Sequence, residues 1–512
     1  MLVQRIALVV ASLKAHANGM LVNRLLAAFA LLISFAAPAY AQRDAAFRAE
    51  FGAFVDALRN DPNAPPGFAV VVTRGDRVLF EGAYGVRDAA RGAPMTLDTP
   101  LITASITKSY TALLATRLDE RGVLSLDASL ADVWPDLVLS EGLDARAVTV
   151  RRLLSHQAGV SDFWLDLRSI TAGNVTLADV APHLSRHAAA TEPGFQYSNF
   201  GPFLYSMMVE QVTGRDWRAV LEDEVLRPMR LRRTSIRVSD LPQDEVGHCH
   251  TRRNGGWVTL PLDPPQTLNA AAGLHASVRD ASRFVRAFAQ AGRGIRGMSP
   301  ESFSRTMQHQ VAADGDLGGL MRDGYALGWD LSSYEGERIV SRSGGYPGCR
   351  TIIAFSQATG MTVTAFAAGD WGANPLIYAL VKQAFDIGAD RPERGRRTAA
   401  RLDEVRQAMA SGVARADAVT YPALTGSNAD EALARFTGIY EADVTGAVEI
   451  RREPRGLVAM WGAFRMDLTP NGADMFNGYV MGLPDPWPIT FISEHGHIVV
   501  LEFGGERLAR VR

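Results

Sequence analysis

The chain is 512 residues long and 47% hydrophobic, which is ample for a large buried core and exceeds the usual size of one domain. Its formal net charge is −2, so no basic surface is implied and nucleic acid is not an expected partner. Of 53 basic residues all but Lys14, Lys108 and Lys382 are arginine. A plain cation is spelled Arg here, and a surviving Lys marks a place where Arg will not serve, such as one that must lose its proton.

The N-terminus reads as an export signal. From Met20, which is an alternative start, Arg24 gives a short positive region and Leu25 to Phe35 an apolar run. Ala39-Tyr40-Ala41 then fits a small-residue cleavage site before Gln42. Residues 1–41 are therefore expected to be removed, leaving a periplasmic or secreted protein with no stable membrane anchor. The run is too short for a comfortable span, and no Cys follows to carry a lipid. An uncleaved anchor helix is the competing reading.

Residues 67–84 are two apolar runs around Arg74-Gly75-Asp76, a strand-turn-strand signal. Residues 104–121 have helical periodicity and stop at Gly122. Ser105 and Lys108 sit at the start of this helix. Residues three apart share a helical face, so hydroxyl and amine meet without help from tertiary structure. A Ser hydroxyl is a poor nucleophile until a base takes its proton, and a neutral Lys amine can do so. The helix N-terminus adds partial positive charge and free N–H groups for a developing oxyanion. The four-residue pattern alone is a weak signal.

Thr149 caps a short predicted helix that runs to Ser155. His156 follows it; at the end of an apolar helix it reads as a buried structural residue rather than a base. Next come a Pro193-Gly194 turn and then Tyr197 and Asn199, two apart and able to face one cleft. Tyr can shuttle a proton between nucleophile and leaving group, and Asn can hold Lys108 and a substrate amide together. Taken alone, Asn199 reads as the cap of the following helix. Helices are predicted at 200–213, 216–227, 279–290 and 374–387, and strands at 325–333, 337–343, 350–357 and 361–368.

His248-Cys249-His250 suggests a metal site, but neighbours in a strand point to opposite faces and no second ligand pair follows. No metal or cofactor is expected. Cys249 and Cys349 are too few for a disulfide framework; one bridge fits an oxidising compartment, and two free, partly buried thiols are the simpler reading. At the end of a predicted strand, Arg342-Ser343-Gly344-Gly345 would let substrate lie against the strand edge, where a free N–H completes an oxyanion hole. The alternative is a Gly/Pro-rich turn.

Strands open the segment, helices fill its middle and strands return, which suggests one sheet with a helical region inserted, over 45–388. Residues 389–432 turn highly charged and then Ala/Ser/Asn/Asp-rich, a linker with some helix. Residues 433–512 are short β-like runs, a small antiparallel barrel or sandwich. Trp461 and Trp487 there read as core.

Three segments in order carry a resemblance: Ser105-Ile106-Thr107-Lys108, Tyr197-Ser198-Asn199 and Arg342-Ser343-Gly344. They resemble the S-x-x-K, Y-x-N and K-T-G or H-x-G elements of the serine β-lactamase and penicillin-binding-protein superfamily. The group of class C β-lactamases, D-aminopeptidases and S12-type peptidases is the most similar. Ala83-Tyr84-Gly85, Leu153-Leu154-Ser155-His156 and Tyr325-Ala326-Leu327-Gly328-Trp329 match its flanking stretches. The resemblance implies an α+β fold: an antiparallel sheet flanked by helices, an all-helical inserted region and a lipocalin-like C-terminal barrel. It also implies roles. Ser105 would be acylated, Lys108 and Tyr197 would handle protons, and Asn199, Arg342, Ser343 and Gly344 would bind substrate. The N–H groups of Ser105 and Gly345 would form the oxyanion hole.

Arg342 departs from the family's Lys or His. It keeps a charge suited to a substrate carboxylate, but it cannot act as an acid or base. The expected activity is hydrolysis of amide or ester bonds in small or peptide substrates: D-amino-acid peptides or amides, short esters, or cell-wall fragments. A weak β-lactamase or DD-carboxypeptidase, and a penicillin-binding sensor or scaffold without turnover, are the alternatives.

Overall fold

The computed structural model describes residues 41–511 except 162–164, 166–167, 169–175, 187, 254, 263–269, 371, 419–432, 444, 454–455, 463 and 481–485. The apolar run and most of the expected signal thus lie outside the described residues. A helix, α1, spans 41–59. The predicted hairpin follows as β1 (Gly67–Arg74) and β2 (Arg77–Asp88), turning at Gly75, whose φ is +59°. A two-residue strand, β3 (Ala93–Pro94), pairs with β2.

The chain then leaves the sheet. A 3-10 turn at Ala104–Ile106 runs into α2 (Thr107–Glu120), which ends before Gly122 at φ +66°. The inserted region contains α3 (Val150–Leu154), α4 (Leu177–Arg186) and α5 (Phe200–Thr213). As expected, Thr149 caps α3 by accepting the Arg152 N–H. The chain returns through α6 (Val278–Ala289) to six strands: β4 (Val311–Leu317), β5 (Leu320–Tyr325), β6 (Asp330–Tyr334), β7 (Glu337–Tyr346), β8 (Cys349–Ser356) and β9 (Met361–Ala368). The single strand expected at 325–333 is in fact two. Gly328, at φ +72°, turns the chain between them.

These strands form one nine-stranded sheet in the order β4-β5-β6-β7-β8-β9-β1-β2-β3, and β1 pairs with β9 from the far end of the segment. Its central strands are nearly all apolar because both faces are covered. Along β1, Ala69 and Val71 join the core under α2 and α6, while Val70 and Val72 join the core under α1 and α7 (Ala373–Gly388). The same two-residue alternation divides Ile353 from Ile352 on β8. Burying such a side chain fully contributes about 1.5–3 kcal/mol.

Within the stretch expected to be a linker with some helix, a 25-residue helix forms, α8 (Arg394–Ala418). It packs on α7. Met409 fills the space that a side chain on Gly372 would need, and Arg401 is buried against Gln383, Tyr334 and Asp386. The final segment is a closed antiparallel barrel of eight strands between Gly438 and Arg510. Its interior is filled by side chains such as Phe476, Phe491 and Phe503, and Trp461 is part of that core with its indole N–H on the Thr445 carbonyl. Cys249 and Cys349 are joined as a disulfide, which corrects the expectation of free thiols. The one-hundred-residue separation hid a Cα–Cα distance of 5.1 Å.

Candidate active site

The site is built around a strained turn. Ala104, just before Ser105, has φ +47°, a region that costs a residue with a Cβ about 1–2 kcal/mol. Hydroxyls on either side hold it there. Thr107 Oγ1 donates to the Ala104 carbonyl at 2.6 Å and accepts the Leu274 N–H at 3.0 Å. Thr103 Oγ1 donates to the Leu274 carbonyl at 2.8 Å.

Three glycines then let the other elements close in. A Cβ on Gly328 would lie 2.4 Å from the Lys108 carbonyl, and one on Gly344 2.1 Å from the Thr103 carbonyl. One on Gly201 would lie 2.1 Å from the Leu153 carbonyl, so α5 seats directly on α3. Each approach needs a missing side chain.

The result gathers the three predicted segments. Ser105 Oγ lies 2.8 Å from Tyr197 Oη and 3.3 Å from Lys108 Nζ. Lys108 is 2% exposed. Its amine also donates to Asn199 Oδ1 at 2.6 Å and to the Ala271 carbonyl at 3.2 Å. The amine thus donates to three oxygens, Ser105 Oγ, Asn199 Oδ1 and the Ala271 carbonyl, as a compact ammonium can.

Asn199 stands at the N-terminus of α5, but its side chain makes no capping bond there. Ser198 Oγ accepts the Phe200 N–H instead, and Asn199 is turned to the lysine. His156 is buried, as expected, and organises this turn. Its Nδ1 accepts the Ser198 N–H at 3.2 Å, which leaves the proton on Nε2 facing Tyr325 Oη at 3.2 Å. Burial first, then Lys108, Arg342 and Arg322, holds its pKa well below the usual value, so the imidazole is neutral.

Arg342 departs from its expected place as a substrate cation. It is 4% exposed, and its guanidinium is turned into the protein. Nε donates to the Ser105 carbonyl at 3.1 Å, one terminal nitrogen meets Asp330 at 3.2 Å and the other bonds Tyr197 Oη. Burial opposes its charge, but Tyr197, Tyr325 and Asp330 outweigh that and raise its pKa. Arg322 pairs with the other oxygen of Asp330 at 3.1 Å.

The effect falls on Tyr197. The residue is 45% exposed as a whole, yet its hydroxyl lies among Ser105, Lys108 and Arg342. Burial of that end works to raise its pKa. Arg342, Lys108 and the hydrogen bonds from Lys108 and Ser105 prevail and lower it.

Beside the site, β6 pairs with β7 only as far as Ser341, so Arg342 to Tyr346 are paired on the β8 side alone. The other edge of β7 is open next to the Ser105 turn. Gly344 and Gly345 lie on this edge. The Ser343 hydroxyl turns to the opposite face and pairs with Tyr378. Among the remaining candidates, His250 bonds the Ala368 carbonyl and the Ala89 N–H, while His248 bonds the Leu260 carbonyl.

The β-lactamase family matches residues 54–381. The chain belongs to that family. Penicillin-binding protein 4 of Amycolatopsis lactamdurans is 30% identical to this family member over 291 residues, 55% of this chain and 74% of that one. Among solved structures, the octameric penicillin-binding protein homologue from Pyrococcus abyssi superposes with a TM-score of 0.58 at 18% identity, covering 90% of this chain and 99% of that one. D-amino acid amidase from Ochrobactrum anthropi SV3, complexed with D-phenylalanine, gives 0.53 at 20% identity over 66% and 99%. The structural likenesses establish the fold; with the family match they support a serine hydrolase.

Sequence reasoning missed two partners in this β-lactamase family site. Ala271 supplies only a backbone carbonyl, so its identity carries no signal. Asp330 was legible in principle: a lone acid in the apolar stretch YALGWDLSSY implies a buried cation opposite.

Proposed function

We propose that this protein is an exported serine hydrolase that cleaves amide or ester bonds of small substrates through an acyl-enzyme on Ser105. The substrates are D-amino-acid peptides or amides, or short esters. One observation carries the reading: a Ser hydroxyl 2.8 Å from a tyrosine whose pKa is lowered and 3.3 Å from a buried lysine amine. Tyr197 is the nearer proton acceptor. It takes the Ser105 proton as Oγ attacks the carbonyl, and Lys108 supports it. The N–H groups of Ser105 and Gly345 receive the oxyanion. The tetrahedral species collapses, the leaving group takes a proton from Tyr197, and water then attacks the ester on Ser105 by the reverse path. The disulfide supports export, since such bonds persist in oxidising compartments.

The test is covalent labelling. A fluorophosphonate or a fluorescent penicillin is expected to label the wild-type chain and not Ser105→Ala. Label retained by the mutant would remove Ser105 as nucleophile. A panel of p-nitrophenyl esters, D-amino-acid p-nitroanilides and nitrocefin then sorts ester, amide and β-lactam activity.

A further inference from the structure

The net charge of −2 hides a basic region at the far end of the sheet. The strand His275–Ser277 pairs with Pro100–Ile102, just before the Ser105 turn, and α6 follows it directly. The helix then crosses the sheet. Past its C-terminal end Gln290 donates to Asp76, in the β1–β2 turn, at 3.1 Å. The register sets Ala69 of β1 level with Gly344, so Arg74, at the edge of that turn, is five residues or about 17 Å from the catalytic edge.

A cleft of about 280 Å³ opens here, lined by Arg230, Arg283, Arg286, Arg293 and Arg296, with Asp76 the one acid among its lining residues. Arg283 is taken up by Asp280 at 2.7 Å and by the Arg230 carbonyl at 3.2 Å, and Asp76 by Gln290. The side chains of the other four arginines make no ion pair or hydrogen bond among the described residues. Arg230 also lines an adjoining cleft of about 390 Å³ with Arg232, which is likewise unpartnered. Arginines elsewhere on the surface have acids beside them, as Arg59 has Asp56, Arg215 has Asp223, Arg338 has Asp323 and Arg396 has Glu393. A helix C-terminus accounts for one cation, Arg286 in the last turn of α6. It does not account for Arg293 and Arg296 on the next loop, or for Arg230 and Arg232 from a separate turn. Like charges gathered without counter-charge repel, and an anion outside the fold relieves that.

The chemistry of the two clefts narrows the partner. Guanidinium groups pair bidentately with phosphate. No aromatic ring lines either cleft, so the bases of a nucleic acid find no stacking platform. Met229 and Leu231 beside the arginines are buried, so the contact rests on charge rather than on inserted apolar side chains. Unpaired cations spread over two clefts are more than one phosphate needs, and Arg230, Arg232, Arg293 and Arg296 are exposed to a partner from outside.

We propose that this end of the sheet is a docking surface for an anionic phospholipid bilayer, whose headgroup phosphates pair with Arg230, Arg286, Arg293 and Arg296. The contact is peripheral, since among the described residues no helix is long and apolar enough to cross a membrane. It leaves the Ser105 edge pointing away from the bilayer, and it does not depend on the chemistry at Ser105.

The test is partition onto vesicles. The full-length chain is mixed with vesicles of pure phosphatidylcholine, or of equal parts phosphatidylcholine and phosphatidylglycerol, and bound protein is measured by flotation. The apolar run near the N-terminus binds vesicles of either kind, so the readout is the ratio of the two. Arg293→Gln/Arg296→Gln is expected to lower that ratio about 25-fold, at about fivefold for each cation lost. Raising the salt lowers it in the wild type. Both positions are exposed, so the melting temperature and Ser105 labelling should not change. Arg59→Gln/Arg396→Gln removes the same charge from other parts of the surface and should leave the ratio close to wild type. No preference for anionic vesicles, or a preference lowered equally by both double variants, overturns the docking surface. Displacement by low-millimolar inorganic phosphate at fixed ionic strength would assign the cleft to a single free anion. Tighter binding of a single-stranded oligonucleotide than of anionic vesicles would assign it to nucleic acid. Either result overturns the lipid partner.

Discussion

The two ends of the open β7 edge treat charge in opposite ways. At the Ser105 end, Lys108, Arg342 and Asp330 are buried, and each has protein partners. At the α8 end, Arg415 is exposed, while Asp370 is buried beside Arg350. The first arrangement is set before any substrate arrives, as catalysis by preorganised groups requires. The second leaves Arg415 facing solvent. Fixed and exposed charge are thus separated along one strand.

The largest break in the comparison is Lys108→Arg. Arginine keeps the charge, but its planar guanidinium cannot make the three close contacts of a compact ammonium with Ser105, Asn199 and Ala271. The lysine census already marked this position, since a chain that spells nearly every cation as Arg keeps Lys here. Fluorophosphonate labelling is expected to fall on the order of 10²- to 10⁴-fold, with the far-UV spectrum and melting temperature little changed. Near-normal labelling would remove Lys108 from the mechanism.

Next in size is the Arg342 pair of variants. If Tyr197 acts as phenolate, acylation rises with pH through a tyrosine pKa that the cation holds below 10. Arg342→Gln removes that cation, so the ascending limb moves up towards pH 10, and labelling at pH 7 drops about tenfold for each unit moved. Arg342→Lys retains the charge and keeps the limb low. Equal pH profiles for the two variants would show that Arg342 only fills space.

How much of this was legible in the sequence follows from the range of the interactions. Ser105 and Lys108 are three apart at the start of one helix, and the strand and helix periods are local, so the sheet, the barrel strands and the Ser105–Lys108 pairing could all be read. The disulfide, the Asp330 link between Arg322 and Arg342, and the Ala271 carbonyl are joined only by the fold. Arg342 misled for the same reason. Its charge is visible in the sequence, but the partners that consume it come from residues 105, 197 and 330. The charged stretch 394–418 read as linker with some helix, and its full length as one helix was not legible because only a few of its side chains, Met409 and Arg401 among them, are buried.

A smaller effect is expected on stability. Cys249 and Cys349 tie the Gly348 turn to the strand His250–Arg253, where Gly348 also accepts the His250 N–H at 2.9 Å. Replacing both by Ser is expected to lower unfolding free energy by about 2–4 kcal/mol in denaturant titration. Because Gly348 holds Asp370, the loss should also loosen the α8 end of the edge while Ser105 labelling stays close to normal. Equal damage at both ends would break the separation drawn above.

The smallest effect concerns Asp370 itself, and its sign separates the two ends again. Its pKa is raised from 3.8 to about 7 by burial, so the folded chain holds a proton that the unfolded chain has released. The stability that this proton reflects is full below about pH 4 and is lost as pH rises through 7. Arg350 beside the carboxyl opposes the rise and is already part of that balance. Asp370→Asn removes the titration, so the mutant's unfolding free energy should fall less than the wild type's between pH 4 and 8. If the two pH curves run parallel, Asp370 is not titrating over this range.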